Sequence, residues 1–245
     1  MAHRGRYLMR VTCAVLMALG LAPRIPAASI PAQPERTVHF SVFSAIPITD
    51  LCFLPQRGSS PRPVEFYPTA RSPAYEYRGS DVLEFRQGPA TADTDFKARA
   101  LLAQVSMPPG LLHVLLLFVP LVPAPATGLR YRIEVMDDGG ASHAAGGLRI
   151  ANFSGRALGG TIDGRPLVLK TGLNPVLGVG RSAAVALRTP FRGRSYPAFT
   201  ETVELAPGER ALLILFPPYR AGSLEVQSRL LLDRPPSPEL LPGKR

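Results

Sequence analysis

Two segments of this chain match each other about 100 residues apart. Residues 107–120, MPPGLLHVLLLFVP, share six identical positions with residues 205–218, LAPGERALLILFPP, at a shift of 98. Further upstream, Phe43-Ser44 and several residues of the segment 71–78 match positions at a shift of 110. A period of this length is that of a domain and far exceeds that of a solenoid repeat. The match therefore predicts two duplicated domains in tandem, with 12 extra residues in the first copy.

Short apolar segments punctuated by proline and glycine predict β-strands along most of the chain. The 27 prolines and 22 glycines separate segments at roughly the 8- to 12-residue spacing of sandwiches and barrels. Apolar and polar residues alternate in 38–43, 131–135 and 200–205, as half-buried strands require. The runs 114–119 and 211–216 are continuously apolar, which predicts strands buried on both faces. Helix is expected only as a turn or two within 97–104.

The predicted fold class is all-β, with two tandem, internally duplicated β-sandwich domains of the immunoglobulin-like type. Asp163-Gly164 lies between two apolar segments and is the strongest hairpin signal in the chain. Small and polar residues at 139–146 have little to bury, so this segment is expected to be a flexible linker. We predict a first domain over 30–138, a second over 147–233, and a disordered, proline-rich tail over 234–245.

The first 29 residues have the order of a secretory signal peptide. Arg4, Arg6 and Arg10 precede an apolar run from Val11 to Leu21, and small residues follow at 27–29. The apolar run is about half the roughly 20 residues that a permanent membrane helix needs. A retained membrane anchor is the alternative. We expect the chain to be exported to a periplasmic, cell-surface or extracellular location, with no transmembrane span after cleavage.

Charge and cysteine content exclude some partners. Without the four arginines of residues 1–29 the net charge falls from +10 to +6, and it is spread along the chain. No basic run, recognition-helix pattern or aromatic-glycine motif is present, so we predict no nucleic-acid binding. Cys52 is the only cysteine of residues 30–245, which excludes an intrachain disulfide there. The apolar neighbours of Cys52 predict that it is buried, and pairing with another chain is the alternative.

Residue types with catalytic or metal-binding chemistry are sparse. Only His39, His113 and His143 follow residue 29, and there is no nucleophile elbow or phosphate loop. We therefore predict a protein that is not an enzyme and uses no cofactor. Asp137, Asp138 and His143 form the best metal candidate. Because aspartate and glycine are also common turn residues, we assign no metal ligands.

Two further alternatives concern sugars. Glu65, Glu76 and Glu84 lie in the most aromatic part of the chain, an arrangement that can serve carbohydrate binding or glycoside chemistry. Core aromatics with solvent-facing glutamates are the simpler interpretation. Asn152-Phe153-Ser154 is a formal glycosylation sequon, but the pattern places it in a strand.

The most distinctive surface segment is rich in arginine. Its candidate binding residues are Arg181, Arg188, Arg192, Arg194 and Tyr196. Arginine binds carboxylates and phosphates through its planar fork, and arginine and tyrosine often anchor protein interfaces. We predict an exported, non-catalytic binding or scaffolding protein of the cell envelope or extracellular space, which uses this hairpin or an exposed strand edge. Its expected partner is an envelope protein or an anionic glycan or lipid. The alternative is a binding module for an acidic polysaccharide or a lipid headgroup.

Overall fold

The protein folds into four β-sheets in the computed structural model, which describes residues 36–89, 95–121, 123, 125–220 and 222–235. Among these residues there is no α-helix, and a single 3-10 turn occurs at Phe96–Ala98. The prediction of an all-β, sandwich-like fold is confirmed. The predicted signal peptide, 1–29, and all but two residues of the predicted tail, 234–245, lie outside the described residues.

Eight strands between residues 36 and 137 form the first two sheets. They are β1 (Arg36–Ser44), β2 (Leu51–Phe53), β3 (Arg62–Pro63), β4 (Tyr75–Gly79), β5 (Val82–Gln87), β6 (Leu101–Ser106), β7 (His113–Pro120) and β8 (Tyr131–Asp137). The sheet orders are β4-β1-β7-β8 and β3-β2-β5-β6. β1 and β7 are parallel, and the other neighbours are antiparallel. Phe40, Phe53, Phe85 and Phe118 pack in the apolar core that these sheets share.

Nine strands between residues 147 and 233 form the other two sheets. They are β9 (Gly147–Asn152), β10 (Leu158–Ile162), β11 (Arg165–Leu169), β12 (Gly172–Leu173), β13 (Leu177–Gly178), β14 (Ser182–Phe191), β15 (Arg194–Glu204), β16 (Arg210–Phe216) and β17 (Gln227–Asp233). The orders are β12-β9-β16-β17, with β13 also on β9, and β11-β10-β14-β15. The hairpin predicted at Asp163-Gly164 is confirmed, since these two residues join β10 to β11 with φ of 50° and 74°.

The two pairs of sheets share one strand order. The order β12-β9-β16-β17 in the second half corresponds to β4-β1-β7-β8 in the first half. The two central strands are parallel in both, β9 with β16 and β1 with β7. The sequence matches follow this correspondence only in part. The shift of 110 aligns Phe43 of β1 with Phe153 beside β9, and both pack in the same apolar cluster. The shift of 98 aligns β7 with the corresponding strand β16, but the side chains of Leu115 and Leu213 lie on opposite faces of their sheets. The shift of 110 aligns β4 with β14, which has a different place in the strand order.

A third apolar layer lies between the two central sheets. Each pair of sheets has its own core, and a separate cluster joins Leu115 and Leu117 of β7 to Leu212 and Ile214 of β16. Because neighbouring residues of a strand point to opposite faces, β7 and β16 contribute to a sandwich core and to this layer at once. This arrangement confirms the prediction of two strands buried on both faces. We call this cluster the central layer.

Truncation in the central layer tests its contribution to stability. Leu212 is fully buried there, so we expect Leu212→Ala to lower the free energy of unfolding by about 2–5 kcal/mol, as in a sandwich core. Leu232→Ala is the control, because Leu232 is 46% exposed and should cost about 0.5 kcal/mol or less. Urea unfolding of both variants measures the difference. Equal, small effects would show that the layer is not a core.

Candidate functional site

The arginine-rich segment forms the closed end of the hairpin between β14 and β15. These are the two longest strands described, with 10 and 11 residues. They are joined by Arg192-Gly193, which have φ of 48° and 76°, the left-handed pair that a tight hairpin turn needs. Such a short turn between paired strands holds the backbone around it in one conformation. The turn therefore fixes the points from which the neighbouring side chains project.

Four of the five predicted binding residues lie near this turn. Arg194 is paired across the strands with Phe191, and Tyr196 with Thr189. Arg188 donates from Nε to Ser195 Oγ at 3.0 Å and from Nη2 to the Ser195 carbonyl at 2.6 Å. Arg181 is different: it precedes β14, where Ser182 pairs with Glu204 at the other end of the hairpin. We define the hairpin tip as Arg188, Phe191, Arg192, Arg194 and Tyr196.

Aromatic rings and unpaired positive charge meet at the hairpin tip. Phe191 is 42% exposed, its ring centroid lies 6.4 Å from that of Tyr196, and the Arg192 guanidinium lies 5.2 Å from the Phe191 centroid. Within the described part of the chain no carboxylate forms an ion pair with Arg188, Arg192 or Arg194. The tip thus presents guanidinium groups that are free to bind an anion. Sequence analysis missed Phe191, although its position beside Arg192 was a usable signal.

A buried ionic cluster joins the two halves of the chain. Arg210, fully buried at the start of β16, donates to both carboxylate oxygens of Asp233 at 2.9 and 3.0 Å and to Asp138 Oδ1 at 2.8 Å. Arg71 lies within 2.7 Å of the Asp138 carboxylate and 2.9 Å of Asp233. We call these four residues the ionic clamp. Because each carboxylate bridges two guanidinium groups, the clamp holds both central sheets together at one end of the central layer.

The three residues that the sequence offered as metal ligands, Asp137, Asp138 and His143, lie in or beside the ionic clamp. Asp138 belongs to the clamp, Asp137 accepts from the Gly139 amide at 2.9 Å, and His143 is fully buried with Nε2 3.2 Å from the Gly147 carbonyl. In the described residues no three His, Cys, Asp or Glu side chains cluster as metal ligands do. The expectation that 139–146 has little to bury is wrong at His143, whose carbonyl accepts from Arg210 at 3.0 Å.

The other sequence candidates are engaged in local contacts. The three glutamates of the sugar hypothesis contact neighbouring side chains: Glu65 accepts from Tyr67, Glu76 pairs with Arg78, and Glu84 pairs with Arg86 and Lys97. The aromatic rings of Tyr75, Tyr77 and Phe85 fill the first core. These contacts favour the simpler interpretation, in which the aromatic rings fill the core and the glutamates lie outside it, with Glu84 only 23% exposed.

Asn152 and Cys52 are both buried. Asn152 ends β9 and is 1% exposed, and its amide bonds the Arg156 carbonyl and Ser154. Glycosylation of this sequon would require the folded strand to open. Cys52 is a free, fully buried thiol, as predicted; its Sγ lies 3.2 Å from Arg99 Nη1 and 3.4 Å from the Arg86 carbonyl.

Comparison with known proteins gives no family. No protein-family model matches this chain, and no curated protein matches its sequence. No helix in the described ranges is both long and apolar enough to cross a bilayer. The functional argument therefore depends on the geometry of the chain itself.

Removing the central arginine of the clamp tests its structural role. We expect Arg210→Met to lower the free energy of unfolding by about 3–5 kcal/mol, because Asp233 loses its bidentate partner in a buried setting. Arg132→Met is the matched control. Its pair with Glu134 is solvent-exposed and should contribute about 1 kcal/mol or less. Chemical unfolding of the two variants gives the comparison, and equal losses would refute the clamp.

Burial of His143 predicts a pH dependence of stability. Burial lowers the pKa of His143 from its ordinary 6.5, and the positive charges of Arg210, Arg149 and Arg71 lower it further against an opposing hydrogen bond to Gly147. Protonation therefore favours the unfolded chain. The contribution of neutral His143 to the free energy of unfolding should be fully present above pH 6.5. It should decrease as the pH falls below 6.5 towards the lower pKa that His143 has in the folded protein.

His143→Phe cannot titrate, so it should show a shallower loss of stability below pH 6.5. Burial also lowers the pKa of His113, so part of the slope should persist. The measurement is thermal unfolding of both proteins at a series of pH values. An unchanged slope in His143→Phe would show that His143 does not couple protonation to folding.

Proposed function

We propose that this protein is an exported, non-catalytic binding protein that engages its partner through the hairpin tip. In this proposal the two pairs of sheets are duplicated immunoglobulin-like domains, and the chain acts in the periplasm, at the cell surface or outside the cell. The observation that carries it is the exposed group of Arg188, Arg192 and Arg194 beside Phe191, without carboxylate partners among the described residues. Export is supported by the signal-peptide pattern of residues 1–29.

The hairpin tip has the composition and rigidity of a binding surface. Aromatic residues and arginine supply most of the energy at many protein interfaces. A tight two-residue turn lowers the entropic cost of binding, since the backbone that carries these side chains is ordered before the partner arrives. At Arg188 the side chain is ordered as well, because Ser195 binds its guanidinium through two hydrogen bonds. Its Nη1 group has no bond among the described contacts and is available to a partner.

An exposed strand edge is a weaker site than the hairpin tip. β15 is an edge strand of 11 residues, long enough to accept another strand. However, Pro197 in its middle has no amide hydrogen, and the Ala198 carbonyl already accepts from Val226 N at 2.9 Å. Proline and covering contacts are the ways in which natural edges avoid pairing.

A polyanion is the second candidate partner, in place of an envelope protein. Each guanidinium of the tip matches a carboxylate, sulfate or phosphate in a forked geometry. Repeated anionic groups on an acidic polysaccharide or a lipid surface would contact Arg188, Arg192 and Arg194 together. This version predicts binding that weakens steeply with salt, whereas an apolar protein interface predicts little salt dependence.

Neutralising the tip tests the proposal. The variant Arg188→Gln/Arg192→Gln/Arg194→Gln should lose about tenfold or more in affinity for the partner, because it removes three charge-assisted contacts. A control with the same net charge is Arg57→Gln/Arg165→Gln/Arg220→Gln, at exposed positions outside the tip. The control should bind like the wild type.

Two assays use these proteins. Capture from an envelope fraction identifies a protein partner, and titration with heparin or anionic vesicles at increasing salt measures polyanion binding. Loss of partner binding in the tip variant, but not in the control variant, supports the proposal. Equal loss by both variants would mean a nonspecific charge effect, and binding unaffected by either would place the site elsewhere.

A further inference from the structure

A cleft of about 720 Å³ lies at the end of the central layer opposite the ionic clamp. β16 shows this arrangement: it begins at Arg210 in the clamp and ends at Phe216 in the wall of the cleft. Phe153, which follows β9, lies against the cleft as well and packs in the central layer. The cleft is therefore a continuation of the layer that is open to solvent, at the boundary between the two halves of the chain.

Two strongly exposed apolar side chains stand at this cleft. Ile46 is 65% exposed and Tyr219 is 87% exposed, and each comes from a connection that follows a central strand, β1 or β16. Isolated exposed apolar residues are ordinary, but a concave apolar surface with exposed apolar residues at its margin is typical of a binding site. The volume falls within the range of roughly 300–1,000 Å³ found for small-molecule pockets.

The charge at the cleft is positive. Arg132 and Arg229 both line it, and Arg132 is paired with Glu134 at 2.9 Å. Arg229 has no ion pair in the part of the chain that the structure describes; its Nη1 donates to the Ser228 carbonyl beside it at 2.8 Å. No carboxylate lines the cleft among the described residues. One uncompensated guanidinium beside an apolar wall complements a ligand with one acidic group and an apolar body.

We propose that the cleft binds a single-chain amphipathic carboxylate, such as a free medium- or long-chain fatty acid. The hydrocarbon lies against Phe153 and Phe216, and Ile46 and Tyr219 cover it. The carboxylate accepts hydrogen bonds from Arg229. This site is separate from the hairpin tip, and it does not depend on the proposed function.

Dodecanoate is the test ligand, measured by isothermal titration below its micelle-forming concentration. Dodecanol, which has the same chain without the charge, is the comparison. We expect dodecanoate to bind with one site per chain and about tenfold or more tighter than dodecanol, because charge-assisted hydrogen bonds exceed neutral ones. Failure of dodecanoate to bind would overturn the proposal.

Variants separate the two parts of the recognition. Ile46→Ser/Tyr219→Ser should weaken both ligands about tenfold or more through lost apolar contact. Arg229→Gln should weaken dodecanoate by a similar factor and leave dodecanol unchanged. Val168→Ser and Arg57→Gln are controls at exposed positions away from the cleft and should bind like the wild type. Dodecanoate binding that survives in the cleft variants would refute the site.

Two other occupants are distinguished in the same series. Light scattering measures whether the wild type is a dimer and whether Ile46→Ser/Tyr219→Ser is a monomer. If so, and if dodecanoate does not bind, the cleft is a contact between two copies of the chain. If the wild type instead sediments with anionic vesicles, the variant does not, and free dodecanoate does not bind, the cleft is a membrane contact. Either outcome would overturn the proposed ligand. Circular dichroism of each variant confirms that it is folded.

Discussion

The contact between the two central sheets is the constraint on which the rest of the structure depends. β7 and β16 carry apolar residues on both faces, so each pair of sheets alone would leave one apolar face of its central strand exposed to water. Leu115 and Leu212 are each fully buried only because the opposite sheet covers them. Removing this contact would expose a broad apolar face, with a hydrophobic cost of about 25 cal/mol per Å². The layer therefore joins the halves and determines what lies at each of its ends.

The ionic clamp adds orientation to this apolar contact. Burying a charged group is costly, and the attraction between paired charges repays that cost only when the geometry is good and the remaining donors are satisfied. Arg210 meets both conditions, since its guanidinium bonds two carboxylates and the carbonyls of Asp138 and His143. An apolar layer alone tolerates sliding. A guanidinium held by Asp138 from one half and Asp233 from the other specifies a single alignment.

The sequence predicts local structure well and long-range pairing poorly. Alternation located β1, β8 and β15, Asp163-Gly164 located a hairpin, and continuous apolar runs predicted burial on two faces. The clamp was missed because Arg71, Asp138, Arg210 and Asp233 are far apart in sequence, and nothing local distinguishes them from solvated charges. Arg181 was grouped with the tip by sequence distance, but a ten-residue strand of roughly 3.3 Å per residue separates it from the turn.

One strand connects the clamp, the central layer and the cleft. On β17 the residues Asp233, Leu231 and Arg229 point to the same face, in the clamp, the layer and the cleft respectively. This follows from the two-residue period of a strand. A slip of one residue in the pairing of β16 with β17 would turn all three away together. The clamp that aligns the sheets at one end of β17 therefore also fixes the position of Arg229 at the other end. The geometry of the cleft thus depends on an interaction at the far end of the same strand.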